Sequence, residues 1–383
     1  MVKELTLELP APRENPHLFG HEAAEARFLQ DVDAGKLHHA YLITGPKGIG
    51  KATFAFRMAR HILAQGAQVA AEAPAEPEGF SLFGDALPTA PAPQAAATNP
   101  HDVDSPLFRR IASGSHTDLL SLSPAYDAKK GAEKASISVD DARKVPQFMN
   151  LTPAEGAWRV VVVDAVDQLN NNAANALLKI MEEPPAQALL LLVCHAPGAI
   201  LPTIKSRCRQ FALGVPDRAA FEQVLSTLAP SISVTDYASL YALADGSPGL
   251  AMTLVKHHAL RQYEDLLRAL SPDADAKTKA KFIDMAASIK SPEGWAMLLH
   301  GWNVAMHRLS LHPHAAGLGS IFRGEEGLIA TIAQQQDMAT RQAWMASSRL
   351  LLQVNDTYNL DKRTTLRLML EPTRLVREFP AAA

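Results

Sequence analysis

The stretch "LITGPKGIGKATF", residues 42–54, decides the fold. It spells the phosphate-loop pattern G-x-x-x-x-G-K-[ST] from Gly45 through Gly50 and Lys51, then places Ala52 where the pattern asks for serine or threonine. Such a loop works because successive backbone N–H groups and a helix N-terminus point at the phosphates while the lysine neutralises the outer ones. Gly45, Gly48, Gly50 and Lys51 keep those parts. The missing hydroxyl is the one that normally sits on magnesium. Thr53 follows one position later, roughly 100° around a helix of ~3.6 residues per turn, and is a poor substitute. Glycines alone could make an ordinary turn. Here the full spacing with lysine lies between an apolar run, "HHAYLITG", and a segment whose Phe54, Met58, Ala59, Ile62 and Leu63 recur at helical spacing.

A phosphate loop needs an acid at the end of a second buried strand, and Asp164 in "WRVVVVDAVDQL" fits. The next residue is Ala165, where hydrolysing proteins of this layout carry a glutamate that orients the attacking water. General-base help of that kind contributes ~10²–10⁴-fold. Its loss together with the metal hydroxyl predicts negligible turnover. Asp167 is the remaining nearby acid, a weaker candidate base projecting from the loop beyond the strand. The residues leave open whether ATP or ADP sits at Lys51 without turnover.

Outward from these motifs, strands and helices alternate to about residue 213, which predicts a three-layer α/β domain at 1–214. "TDLLSLSP" and "ALLLLVCHA" read as further strands. "ISVDDARKVPQFMN" reads as a helix starting behind Ser138, and "NNNAANALLKIMEEPP" as a helix stopped by two prolines. The stretch from 66 to 105 is rich in Ala and Pro without sustained period and reads as a flexible insertion, with order resuming near Pro106. Beyond Val215 the pattern turns helical, giving a small helical lid at 215–257 and an all-helical collar at 258–383. The final segments, "ATRQAWMASSRLLLQVNDTYNL" and "DKRTTLRLMLEPTRLV", read as long periodic helices.

Composition narrows the function classes. In 383 residues, 47% hydrophobic and 20% charged, the formal net charge is −3, so the whole chain has no electrostatic attraction to nucleic acid. The two cysteines, Cys194 and Cys208, have no C-x-x-C spacing, which argues against a disulfide scaffold or structural zinc. Cys194 in its apolar run reads as a small core residue. The start of the chain is polar and Pro-rich, and no run approaches ~18 apolar residues. The sequence is read as cytoplasmic, with no membrane partner.

Three stretches, "GPKGIGKAT", "VVVVDAVDQLNNNAANALLKIMEEPP" and "AILPTIKSRCRQF", together resemble the clamp-loader branch of the AAA+ ATPases, and within it the delta prime family of bacterial DNA polymerase III. The resemblance covers residues 16–64 and 117–255, and the remainder by layout alone. It implies an AAA+ three-layer P-loop domain with helical lid and collar, in a subunit of a hetero-pentamer with motor-type and delta-type subunits. That assembly opens a sliding clamp and loads it on primed DNA. In that family the SRC motif sits at a subunit boundary. Ser206, Arg207 and Cys208 match it, so Arg207 would be an arginine finger reaching ATP on the neighbouring subunit; Lys205 and Arg209 flank it. Spacing alone would leave Arg207 an ordinary surface arginine.

Three departures matter. Motor subunits carry a nucleotide-sensing arginine in the lid where this chain reads "GSPGLA", with Gly249 at that place. Family zinc modules have four cysteines after the loop helix, and the insertion here has none, so no zinc is expected. His195 falls near a polar sensor position and reads as buried or capping. Glu182 and Glu183, before Pro184, read as polar contacts at a helix end, and Trp295, Trp302 and Trp344 as core or subunit contacts. The alternatives are an active AAA+ ATPase motor and a non-catalytic interaction scaffold.

Overall fold

Continuous runs of Val and Leu become strands buried on both faces, as parallel sheets covered by helices require. A computed structural model describes residues 9–72, 99–124, 126–127, 132–133, 137–313, 319–358 and 360–380. By contact the chain divides into one unit of residues 9–129 and 133–220 and another built on residues 221–383.

In the first unit the order is α1 (Glu22–Asp33), β1 (Ala40–Thr44), α2 (Lys51–Glu72), α3 (Pro106–Ser113), β2 (Leu119–Leu122), α4 (Val139–Met149), β3 (Arg159–Val163), α5 (Asn171–Glu182), β4 (Ala188–Cys194), α6 (Pro202–Lys205) and β5 (Arg209–Ala212). The five strands form a parallel sheet in the order β2-β3-β4-β1-β5. Register pairs Val163 with Leu192, Thr44 with Cys194, and Thr44 with Ala212. Successive side chains of a strand point to opposite faces. Tyr41, Ile43, Val160, Val162, Leu189, Leu191 and Val193 therefore pack with residues of α1, α2 and α3. Their neighbours Ala40, Leu42, Val161, Val163, Leu190, Leu192 and Cys194 pack with α4 and α5. This is the three-layer domain the alternation predicted.

Local signals set most boundaries. Ser138 accepts from the Asp141 amide at the start of α4, and Ser105 accepts from the Phe108 amide at the start of α3, with Gly114 closing that helix at φ 73. The insertion read as beginning at residue 66 begins later. Helix α2 runs through Gly66 to Glu72, and the 156–158 segment packs closely at Gly66, where a Cβ would lie 3.1 Å from the Ala157 amide. Residues 73–98, the centre of the expected insertion, lie outside the described residues.

The second unit is helical: α7 (Arg218–Leu228, beginning just before the division), α8 (Tyr237–Leu243), α9 (Pro248–Lys256), α10 (Ala259–Leu270), α11 (Ala276–Ala287), α12 (Pro292–Leu311), α13 (Glu325–Gln334), α14 (Met338–Tyr358), α15 (Lys362–Met369) and α16 (Pro372–Glu378). One apolar cluster runs from Phe221 to Leu375 through both regions anticipated as lid and collar. Trp302 and Trp344 stack edge-to-face at 6.0 Å within it, and the Trp344 indole donates to the Met369 carbonyl at 2.9 Å. The last periodic segment is two helices, not one. Pro372 cannot supply the amide a continuing helix needs, so the chain stops at Met369 and restarts.

Candidate functional site

The loop between β1 and α2 owes its shape to three glycines in the left-handed half of backbone space: Gly45 at φ 145, Gly48 at φ 82 and Gly50 at φ 99. At Gly45 the restriction is also steric, since a Cβ would meet the Leu213 carbonyl oxygen at 2.4 Å. Lys51 opens α2 and is only 3% exposed. Its ammonium donates to the Gly45 carbonyl at 2.7 Å and to the Pro46 carbonyl, so it folds back over the loop itself. Burial lowers its pKa to about 8, against the attraction of Asp164.

Sheet order explains the other members. β1 and β3 flank β4, so the ends of all three strands meet at the carboxyl edge, where open α/β sheets bind ligands. Lys51, Asp164 and His195 gather there. The His195 ring stands 3.8 Å from the Asp164 carboxylate. Burial, with help from Lys51 and Lys47, lowers the His195 pKa to about 4. The ring is therefore neutral at pH 7, and its approach to Asp164 is not an ion pair.

Asp167 is not placed as a base. Its carboxylate accepts from the His195 amide at 2.9 Å and the Ala196 amide at 3.2 Å, tying the loop after β3 to the end of β4. Ala165, where a glutamate was sought, is left-handed at φ 65 and ψ 58 and starts the single 3-10 turn that carries Asp167. Ala52 packs against the apolar cluster under α2. Thr53 is half-buried on α2, one position around the helix from Ala52. Gly45, Gly48, Gly50 and Lys51 are the residues that could hold a phosphate, and Ala52 and Ala165 stand where a metal-side hydroxyl and a water-orienting acid were sought.

Spacing missed His21. It occupies the N-cap of α1 without capping it; instead its Nε2 donates to the Ile49 carbonyl at 2.6 Å, from a side chain buried to 5% exposure. A histidine at a position that prefers Ser, Thr, Asp or Asn was the available signal.

Arg207 lies at the other end of the sheet. It leads into β5, whose Arg209 pairs with Tyr41, whereas the loop leaves β1 beyond Thr44, beside Ala212. Three strand steps of ~3.3 Å put at least ~10 Å of sheet between them, before counting the two residues back to Arg207. The Arg207 side chain, 34% exposed, donates from Nη1 to the Thr203 carbonyl at 3.1 Å and from Nη2 to Glu182 at 2.8 Å. Ser206 donates to the same Thr203 carbonyl at 3.1 Å. Cys208 is half-buried, and burial pushes its thiol up to about 12. Arg209 pairs with Asp31 at 2.9 Å. The sequence-predicted residues therefore form two separate places, not one site.

In the second unit, Gly249 is the second residue of α9, behind the capping Ser247, and its carbonyl accepts from Thr253 at 3.0 Å. Among the described residues, no group of three or more His, Cys, Asp or Glu could hold a metal ion, and no helix is long and apolar enough to cross a membrane.

Residues 90–217 match the family described as "DNA polymerase III, delta subunit". Two relatives carry the name DNA polymerase III subunit delta'. The one from Pseudomonas aeruginosa is 36% identical over 216 residues, 56% of this chain and 55% of that protein. The one from Escherichia coli is 27% identical over 319 residues, 83% of each. The Escherichia coli DNA polymerase III subunit tau is 29% identical over 206 residues, 54% of this chain and 26% of that protein. In sequence, the chain is similar to DNA polymerase III subunits named delta', and it spans about half the length of the Pseudomonas aeruginosa protein.

Proposed function

We propose that this chain serves as a clamp-loader subunit of a replicative DNA polymerase III, with its own nucleotide site silent and Arg207 lent to ATP on an adjacent subunit. The observation that carries the reading is the separation of Arg207 from Lys51 by the length of the β1–β5 pair. An arginine so placed cannot serve its own loop. A planar guanidinium suits phosphate oxygens, and a finger supplied in trans is worth ~10³–10⁵ in rate. The partners are motor-type and delta-type subunits in a pentamer, with the sliding clamp and primed DNA engaged through the assembly. A nucleotide held at Gly45, Gly48, Gly50 and Lys51 would be held without turnover, because Ala52 and Ala165 remove the metal and water contacts.

The test is ATP turnover in a loader reconstituted with its partner subunits, clamp and primed DNA. The chain alone should be silent, and Arg207→Ala should slow the complex by roughly tenfold or more. Hydrolysis by the isolated chain would instead make it an active motor, and an unchanged rate in the variant would leave a scaffold.

A further inference from the structure

We infer that Glu182 is a positioning residue for Arg207, setting the guanidinium plane before a neighbouring subunit's phosphate arrives; the inference rests on the trans-acting role of Arg207 proposed above. Arg207 stands just past α6, a helix of four residues, and four rotatable bonds separate its guanidinium from the backbone. Two anchors hold it. The Thr203 carbonyl is local, four residues back, and by itself leaves the arginine tethered only to its own short helix. Glu182 is 25 residues away in sequence, at the end of α5, and it couples the guanidinium to the body of the sheet domain through a helix whose Leu177, Ile180 and Met181 are core.

The place of Glu182 is itself informative. A carboxylate in the last turn of a helix faces the negative end of the helix dipole, which disfavours it, and Lys179 in the same turn is the residue type that belongs there. Pro184 ends the helix just beyond, so the carboxylate stands at a terminus. Arg207 supplies the compensating charge. With Nη1 and Nη2 each giving one bond to an anchor, the rest of the guanidinium fork remains for a phosphate, already oriented. Orientation of this kind acts on rate: small misplacements of a transition-state contact lower turnover without weakening substrate binding.

The experiment measures ATP turnover in the reconstituted loader with wild-type chain, Glu182→Ala, Glu182→Gln, Arg207→Ala and the Glu182→Ala/Arg207→Ala double variant. Glu182→Ala should lower kcat by roughly three- to tenfold with KM for ATP unchanged, because the nucleotide binds elsewhere. Glu182→Gln, which keeps an acceptor oxygen in place, should recover most of the rate. The double variant should be no slower than Arg207→Ala, an outcome that a general structural defect would not give. A Glu182→Ala rate equal to or above wild type, beside a slow Arg207→Ala, overturns the positioning role and leaves the finger intact. Losses that multiply in the double variant also overturn it. An unchanged rate in Arg207→Ala overturns the finger and with it this inference.

Discussion

At the residue scale, the glycine loop between β1 and α2 combines three left-handed glycines with a lysine bonded to the loop itself. Lys51 has its charge held by the loop's own carbonyls, in surroundings that lower its pKa to about 8. The sign of the linkage follows. A lysine whose folded pKa lies below its unfolded value binds its proton less tightly when folded, so this group's contribution to stability rises with pH between about 8 and the ordinary lysine value of 10.5. Proton titration of the labelled Lys51 amine by NMR should find its midpoint near 8, and a midpoint near 10.5 would contradict the buried placement. Gly45→Ala should destabilise the α/β unit by about 1–3 kcal/mol through backbone strain. The overlap with the Leu213 carbonyl adds to that, and a denaturation midpoint unchanged from wild type would refute the argument. Asp167 illustrates a residue whose type was legible and whose role was not. A carboxylate three residues past Asp164 resembles a base in one dimension, and only the return of β4 beside it supplies the two amides that occupy it. Asp167→Ala should therefore lower stability by ~1.5–3 kcal/mol, the range for hydrogen bonds to a charged group, while leaving the ATP turnover of a reconstituted loader within about twofold.

At the scale of elements, α2 does more than carry the loop. Its Arg57, Arg60 and His61 line a partly buried polar face with His101 and Glu25. Arg60, fully buried, donates to the Asn15 carbonyl at 2.9 Å and stacks over the Phe108 ring at 4.9 Å. Burial first, then the charges of Arg57, Arg60 and His61, lowers the His101 pKa to about 3, so its 3.8 Å approach to Glu25 is not an ion pair at neutral pH. Because the folded pKa lies below the unfolded value of 6.5, stability is lost as pH falls from about 6.5 towards 3. His101→Gln should flatten the stability curve in that window, read from urea midpoints at stepped pH. The start of α4 was legible because Ser138 acts through a local hydrogen bond, as Ser105, Asn170 and Asp361 also do at helix starts that the sequence reading did not single out. The length of α2 was not legible. Its continuation past Gly66 runs through an Ala-rich stretch whose spacing gave no sustained period.

At the scale of the whole molecule, two kinds of core sustain the two units. The α/β unit has separate apolar clusters on the two faces of its sheet, and the helical unit has one continuous cluster. The helical unit also buries an ion pair: Arg308 donates to Glu325 at 3.0 Å, and Tyr263 donates to the same carboxylate at 2.6 Å, with Glu325 fully buried. Removing one member leaves the other charge buried without its partner, so Glu325→Ala should cost about 3–5 kcal/mol. Calorimetry should show the loss in the transition of the helical unit and leave the α/β transition in place. A loss shared equally by both transitions would contradict separate cores.

The sequence by itself determined the class of fold, four of the five strands of the sheet, the start of α4 behind Ser138, and the alanines at 52 and 165. Each of these follows from periodicity, capping chemistry or the identity of a residue within a short span. Only the tertiary structure decided that Asp167 is a tie, that His21 latches the Ile49 carbonyl, and that Arg207 is held by Glu182 at the end of the sheet away from Lys51. Those facts depend on which strands lie side by side and which ends coincide. The order β2-β3-β4-β1-β5 places side by side strands that are far apart in the chain, through crossovers that local spacing does not specify.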